Sequence, residues 1–312
     1  MALSRIWRKW LIRLAGSAVM LAVLFWIVPW STFRQALSNV SAADFLMVLA
    51  AFLVAHVAAG AKWWWLMGHR VPLALALRAH FTGLAANLCL PGAIGGDAVR
   101  ATMAHMSMKD GARTVAAALA DRMIDMAALG SLTLLGLVAS GAESSGMTAL
   151  PTLAALAVVL LIVAFLPRLM PLPWRIVPSL PGRALADKLA EAFREFGEAP
   201  LRLAGAFLAS FLIQGALVLL SLYLARAAGL QVSTAAWVFA WPLAKILAVL
   251  PISLNGLGLR ESVLAGLLTP FGANPAVVVA AGLMWQAVLF CGGGVGGLIY
   301  AATASHGKRI VE

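Results

Sequence analysis

Acidic and basic side chains stand beside proline and glycine residues at two places in an otherwise apolar sequence. The first stretch, Leu90-Pro-Gly-Ala-Ile-Gly-Gly-Asp-Ala-Val-Arg100, contains Asp97 and ends on Arg100. The second, Leu250-Pro-Ile-Ser-Leu-Asn-Gly-Leu-Gly-Leu-Arg-Glu261, ends on Arg260 and Glu261. Arginine binds phosphate as a planar fork of donors, and a helix that starts after a break directs its positive dipole end toward an anion. These residue types therefore favour binding of a phosphate-bearing group.

A third charged group, Asp121-Arg122 with Asp125, stands in an apolar run between the two stretches. Asp121 and Asp125 are four residues apart, so they share one face of a helix, while Arg122 points about 100° away. The charged residues predicted at membrane depth, with Lys245 added to those already named, are four acids and four bases. They bind a ligand, or they pair with one another only to make their burial tolerable. The candidate substrate-binding residues are Asp97, Arg100, Asp121, Arg122, Asp125, Asn255, Arg260 and Glu261.

The proline and glycine residues interrupt helices at the middle of a membrane. Proline removes a backbone donor and glycine weakens a helix, and irregular backbone at membrane depth is tolerated only inside protein or beside a wet cavity. About 11 residues separate His80 from the first break, which is ~16 Å of helix, or half of a ~30 Å core. The sequence therefore predicts two re-entrant hairpins, over about 72–109 and 236–270. Their breaks are Pro91, Gly92, Gly95, Gly96, Pro251, Gly256 and Gly258.

Composition defines the class of protein. Hydrophobic residues make up 62% of the 312 residues and charged residues 11%, whereas soluble domains are about half apolar and a quarter charged. The net charge of +11 resides mainly at the ends of apolar runs, which is typical of cytoplasmic loops in membrane proteins and not of nucleic-acid binding. The histidines and the two cysteines form no visible catalytic or metal-binding constellation. We therefore expect no enzyme activity, cofactor or metal.

The predicted fold is an all-α polytopic membrane protein, a single integral domain over 1–312. About six helices span the membrane, and both termini are cytoplasmic. A short outer loop surrounds Arg34, and Lys62 with the tryptophans at 63–65 forms a cytoplasmic anchor and aromatic belt. An amphipathic helix at about 183–199 lies on the inner leaflet or, alternatively, docks a partner. The predicted spans are 14–30, 44–67, 112–140, 149–166, 203–227 and 275–304.

The two hairpins belong to an inverted repeat. Pro91 aligns with Pro251, Gly96 with Gly256 and Arg100 with Arg260. Repeat one covers about 44–140 and repeat two about 203–304, and the charge bias of their loops gives them opposite orientations. Such paired interruptions in two inverted halves indicate a transporter's binding site near the midplane.

The same motifs carry a resemblance to a known family. The two broken stretches and Asp121-Arg122 between them resemble the lysylphosphatidylglycerol synthase transmembrane family, over about residues 10–304. The resemblance implies a flippase-like protein of the bacterial inner membrane, here a stand-alone member without a soluble synthase domain. It also implies membrane lipids as partners, either an anionic or aminoacylated phospholipid or a polyprenyl-phosphate-linked lipid.

The leading functional hypothesis is a transporter that moves an anionic lipid between leaflets through a polar cavity at the two hairpins. No nucleotide-binding loop is visible, so the movement is passive or driven by a proton or ion gradient. One alternative is a membrane-embedded enzyme that modifies a lipid and uses carboxylates as acid and base. Another is a non-catalytic scaffold that docks enzymes of an envelope-lipid pathway.

Overall fold

The computed structural model describes residues 30–89, 95–141, 172–176, 183–248 and 258–308. The predicted span 14–30 apart from its last residue, the predicted span 149–166 and the break residues Pro91, Gly92, Pro251 and Gly256 lie outside these residues. The described helices are α1 (Trp30–Asn39), α2 (Ala42–Leu66), α3 (Leu73–Cys89), α4 (Gly95–Met108), α5 (Gly111–Ala139), α6 (Leu172–Ile176), α7 (Arg183–Gly197), α8 (Pro200–Ala227), α9 (Thr234–Leu247), α10 (Leu259–Leu268) and α11 (Pro275–Lys308).

The protein is an all-α membrane protein, as the sequence predicted. Within the described part of the chain, four helices are long and apolar enough to cross a bilayer: α2, α5, α8 and the Pro275–Thr303 part of α11. Ser41 begins α2 with a capping box, and Asp110 begins α5 by accepting a hydrogen bond from the Arg113 amide. These caps satisfy amide groups that the first turn of a helix leaves unpaired.

Shorter helices form the arms of the two predicted hairpins. Helices α3 and α4 contain 17 and 14 residues and pack against each other. Gly83 and Gly96 make this crossing close, because a Cβ on Gly83 would come within 2.8 Å of the Gly96 carbonyl oxygen. Helices α9 and α10, of 14 and 10 residues, form the second pair.

The predicted breaks that are described lie at helix starts. Gly95 and Gly96 open α4, and the Gly96 amide donates to Asn87 Oδ1 at 2.8 Å. Gly258 precedes α10 with φ of +82°, a conformation that residues with a Cβ adopt at a cost. Each hairpin therefore resumes as a helix directly before its charged residues.

The loop predicted around Arg34 is wrong, because these residues form helix α1. Phe33 and Ala36 are buried and α1 packs on α11. The sequence carried a signal for this helix, because Trp30, Phe33 and Leu37 recur at i, i+3, i+7 spacing and polar residues lie between them.

The amphipathic helix α7 also packs on protein. Leu189 and Ala192 are buried in a cluster with Trp63 and Ala116, and α7 contacts α5. At Leu189 and Ala192 the apolar face therefore rests on the helix bundle instead of the inner leaflet.

The contacts of the two halves match in order. Helix α2 contacts α3, α3 contacts α4 and α4 contacts α5, just as α8 contacts α9, α9 contacts α10 and α10 contacts α11. Across the centre, α5 packs on α9 and α11 packs on α3, while α2 packs on α8. The short helices that precede the two halves also correspond. Helix α1 packs on α11, the last helix of the second half, and α7 packs on α5, the last helix of the first half. The opposite membrane orientation of the two halves stays a prediction.

Candidate functional site

A cavity of about 250 Å³, lined by charged and apolar side chains, lies where the short helices meet the long helices. Helices α2 to α5 line one side of it, and α8 to α11 line the other. Its wall is partly apolar, with Phe52, Leu129 and Leu217 among the lining residues. The charged lining residues are Lys62, Asp97, Arg100, Asp121, Arg122, Asp125, Lys245 and Arg260.

Asp121 lies at the centre of the charged groups, and its residue is 4% exposed. Its carboxylate oxygens lie 3.0 Å from Lys62 Nζ and 2.9 Å from Arg100 Nη1. One turn further along α5, Asp125 Oδ1 accepts from Lys62 Nζ at 2.5 Å and from the Ser210 hydroxyl. Both carboxylates contact the ammonium group of Lys62, which agrees with the prediction that they share one face of a helix.

Asp97 connects the first hairpin to α5. Its Oδ2 accepts from Arg122 Nε at 3.1 Å and from Nη2 at 2.6 Å, while Oδ1 lies 3.1 Å from Arg100 Nη2. The carboxylate stands in the first turn of α4, where the helix dipole favours a negative charge. Arg122, which points away from Asp121 along α5, thus reaches a carboxylate on another helix.

Arg260 and Glu261 form the corresponding pair in the second hairpin. Arg260 Nη2 lies 2.5 Å from Glu261 Oε1 and donates to the Gly282 carbonyl oxygen at 3.1 Å. Glu261 also accepts from the Gly258 amide at 2.8 Å and is fully buried. Glu261 does not line the cavity, and it positions the guanidinium group of Arg260, which does.

Lys62 and Trp63 were predicted as a cytoplasmic anchor and aromatic belt, and for both residues this is wrong. Lys62 is 5% exposed and Trp63 is fully buried. The Arg100 guanidinium lies over the Trp63 ring, 4.5 Å from its centroid, a cation–π geometry. A lysine and tryptophans at the end of an apolar run resemble an anchor, and the packing of other helices against α2, chiefly α8 and α3, places them inside.

Lys245 has a neutral partner. Its Nζ donates to Gln214 Oε1 at 2.7 Å, and no carboxylate of the described residues lies within ion-pair distance of it. With Lys62 included, the site holds five cations, Lys62, Arg100, Arg122, Lys245 and Arg260. They face four carboxylates, Asp97, Asp121, Asp125 and Glu261. Lys62 therefore adds a fifth cation to the four predicted bases, and among the residues that the structure describes this site has one positive charge in excess.

Two histidines meet in the cavity, although the sequence indicated no constellation for them. His56 Nδ1 on α2 and His80 Nε2 on α3 are 3.0 Å apart. In the described ranges, no three His, Cys, Asp or Glu side chains form a group that is able to hold a metal ion. Asn255, the remaining predicted site residue, lies outside the described residues.

The sequence of α2 contains one signal that indicates His56 and Lys62 as site residues, although they were not predicted. Phe52, His56, Ala59 and Lys62 all line the cavity, and at 100° per residue they fall within about 120° of one another around the helix. A histidine and a lysine on one face of a spanning helix indicate an inward-facing, functional face.

These features define a multi-pass membrane protein with a positively charged cavity between two pairs of short helices. The sequence matches the family described as lysylphosphatidylglycerol synthase TM region over residues 10–297. The chain therefore belongs to this family, which associates it with membrane lipid metabolism. Among curated proteins, none is similar enough to the sequence to count as a match.

Proposed function

We propose that the protein moves a lipid with an anionic, phosphate-bearing headgroup between the leaflets of the membrane. The observation that carries the proposal is the excess cation, Lys245, in a cavity whose other cations have carboxylate partners. Charges inside a membrane are expensive and mark the path of a substrate or ion. An unmatched ammonium group beside three arginines favours a ligand with one negative charge.

The cavity suits a headgroup better than a whole lipid. A volume of about 250 Å³ lies slightly below the usual range of ligand pockets, ~300–1,000 Å³. We infer that the headgroup enters the cavity and that the acyl or isoprenoid tails stay in the bilayer. A phospholipid and a polyprenyl phosphate offer the same phosphate chemistry to this site.

The matched contacts of the two halves support a route for the movement. Each hairpin packs on the long helix of the other half, α9 on α5 and α3 on α11. In transporters with inverted repeats, one half rocks against the other around a fixed central site. Such a movement would open the cavity to one leaflet and then to the other.

We further propose a bacterial inner membrane location, with both termini in the cytoplasm. Basic residues near the predicted span ends support the orientation. No chemical change of the lipid is part of the proposal. Lipid recovered after incubation with the purified protein is therefore expected to have an unchanged mass.

Reconstituted vesicles test the proposal. A fluorescent phosphatidylglycerol is placed in one leaflet, and its exchange is measured with wild-type protein, with Asp97→Asn and in protein-free vesicles. Wild-type protein is expected to accelerate exchange, and Asp97→Asn to slow it, because Asp97 positions both Arg100 and Arg122. Exchange at the protein-free rate with the folded wild-type protein would contradict the proposal.

A further inference from the structure

The histidine pair of the cavity is fixed by packing around it. The His56 ring lies 4.2 Å from the Phe52 ring, centroid to centroid. Gly60 lets α3 approach α2 closely, because a Cβ on Gly60 would lie 2.9 Å from Leu77 and 3.3 Å from the His80 Cβ. The 3.0 Å separation of the two ring nitrogens is therefore built into the contact of two helices.

The geometry of the pair sets how many protons it holds. A nitrogen–nitrogen hydrogen bond needs one donor and one acceptor. Two neutral rings meet this condition, and so do one neutral ring and one imidazolium. A second added proton would place two N–H donors against each other and break the bond. The pair therefore binds one proton while keeping its hydrogen bond.

The outer nitrogens of the two rings leave a path for that proton. His56 Nε2 and His80 Nδ1 hydrogen-bond to no protein atom in the part of the chain that the structure describes. Both residues line the cavity. A proton is thus able to reach either ring from water in the cavity.

The charged groups that line the cavity together with the pair come from five helices. Lys62 shares α2 with His56, while Asp97 and Arg100 come from α4 and Asp121, Arg122 and Asp125 from α5. Lys245 on α9 and Arg260 on α10 complete the set, and α8 and α11 contribute the neutral Gln214 and Trp285. Burial of the rings and the excess positive charge both disfavour an imidazolium in the empty cavity, and an anionic headgroup cancels the excess charge.

We propose that the His56–His80 pair is a proton-binding site that takes up one proton when an anionic headgroup enters the cavity, so that lipid and proton move together. The inference rests on the proposed lipid transport and adds the coupling ion to it. Because coupling between two binding sites is reciprocal, acid also strengthens headgroup binding. Uptake of one proton raises the apparent dissociation constant about tenfold for each unit by which the pH rises, in the range where the free pair is unprotonated and the lipid-bound pair is protonated.

Calorimetry in two buffers of different ionisation enthalpy counts the protons. Detergent-solubilised protein is titrated at neutral pH with dihexanoyl phosphatidylglycerol, a short-chain anionic lipid. Wild-type protein is expected to take up about one proton per bound lipid. His56→Gln and His80→Gln are expected to bind the lipid with uptake near zero. His105→Gln is the matched control, since His105 is exposed on α4 and does not line the cavity.

The outcomes separate the two proposals. Lipid binding without proton uptake by wild-type protein, or equal uptake by all three variants, overturns the coupling and leaves anionic lipid binding intact. Absence of binding by wild-type protein overturns both. If the variants do not fold, nitrogen NMR of the histidines in wild-type protein decides. An imidazolium on the pair after lipid addition supports the inference, and two neutral rings throughout overturn it.

Discussion

Lys245 Nζ donates a 2.7 Å hydrogen bond to Gln214 Oε1, and this link between α9 and α8 joins a cation to an uncharged partner. Every other cation that lines the cavity has a carboxylate beside it. Pairing that served only to make burial tolerable would leave no such excess. An amide oxygen holds the ammonium group in place without neutralising it, so the charge stays available to an anion.

Lys62→Met is expected to destabilise the protein strongly. The substitution leaves Asp125 with the Ser210 hydroxyl as its hydrogen-bond partner, and removing one member of a buried ion pair costs about 3–5 kcal/mol. Chemical unfolding in detergent micelles measures the loss. Lys188→Met, on the exposed side of α7, is the control, and equal stability of the two variants would refute a buried ionic role for Lys62.

Gly282→Ala is expected to disturb the second hairpin. A Cβ there would lie 2.7 Å from Glu261 Cγ, and Glu261 holds Arg260. The free energy of unfolding is expected to fall by about 1–3 kcal/mol, as is typical of overpacking. Gly266→Ala on α10 is the matched control, because no atom lies within 4 Å of its added Cβ. A loss in the control as large as in Gly282→Ala would speak against the contact.

Reporter fusions test the opposite orientation of the two hairpins. Fusions after Arg70 and Lys109 are expected to report the cytoplasm, because the first hairpin enters and leaves from that side. Fusions after Ala228 and Gly272 are expected to report the outside. Arg70 and Lys109 on opposite sides of the membrane would exclude a re-entrant first hairpin.

The sequence predicted those parts of the site that local patterns determine. Asp97 and Arg100 follow a visible break, and Asp121 and Asp125 share a helix face by spacing alone. The partners of these carboxylates depend on which helices cross. Lys62, at the end of an apolar run, is suited equally to a membrane interface and to an interior. The helices that pack against α2 decide between the two, since the Lys62 partners Asp121, Asp125 and Ser210 lie on α5 and α8.

The histidine contact depends on the same kind of information. His56 and His80 are 24 residues apart on different helices, and their contact requires the close approach at Gly60. The spacing of residues along one helix does not show which residues of a second helix they contact. The matched packing of the two halves was easier to predict from the sequence, because the alignment of Pro91 with Pro251 already indicated a repeat.

The headgroup selectivity of Lys245→Gln tests the central claim most directly. Exchange of labelled phosphatidylglycerol and labelled phosphatidylcholine is compared in vesicles that contain wild-type protein, Lys245→Gln, Lys245→Arg or the surface control Lys188→Gln. A hydrogen bond to a charged group contributes about 1.5–3 kcal/mol, so Lys245→Gln is expected to slow exchange of the anionic lipid about 10- to 100-fold.

In this experiment, Lys245→Arg and Lys188→Gln are expected to retain most of the anionic exchange, and phosphatidylcholine exchange is expected to change little in any variant. Unchanged phosphatidylglycerol exchange by folded Lys245→Gln protein would contradict the claim that the excess cation binds an anionic headgroup.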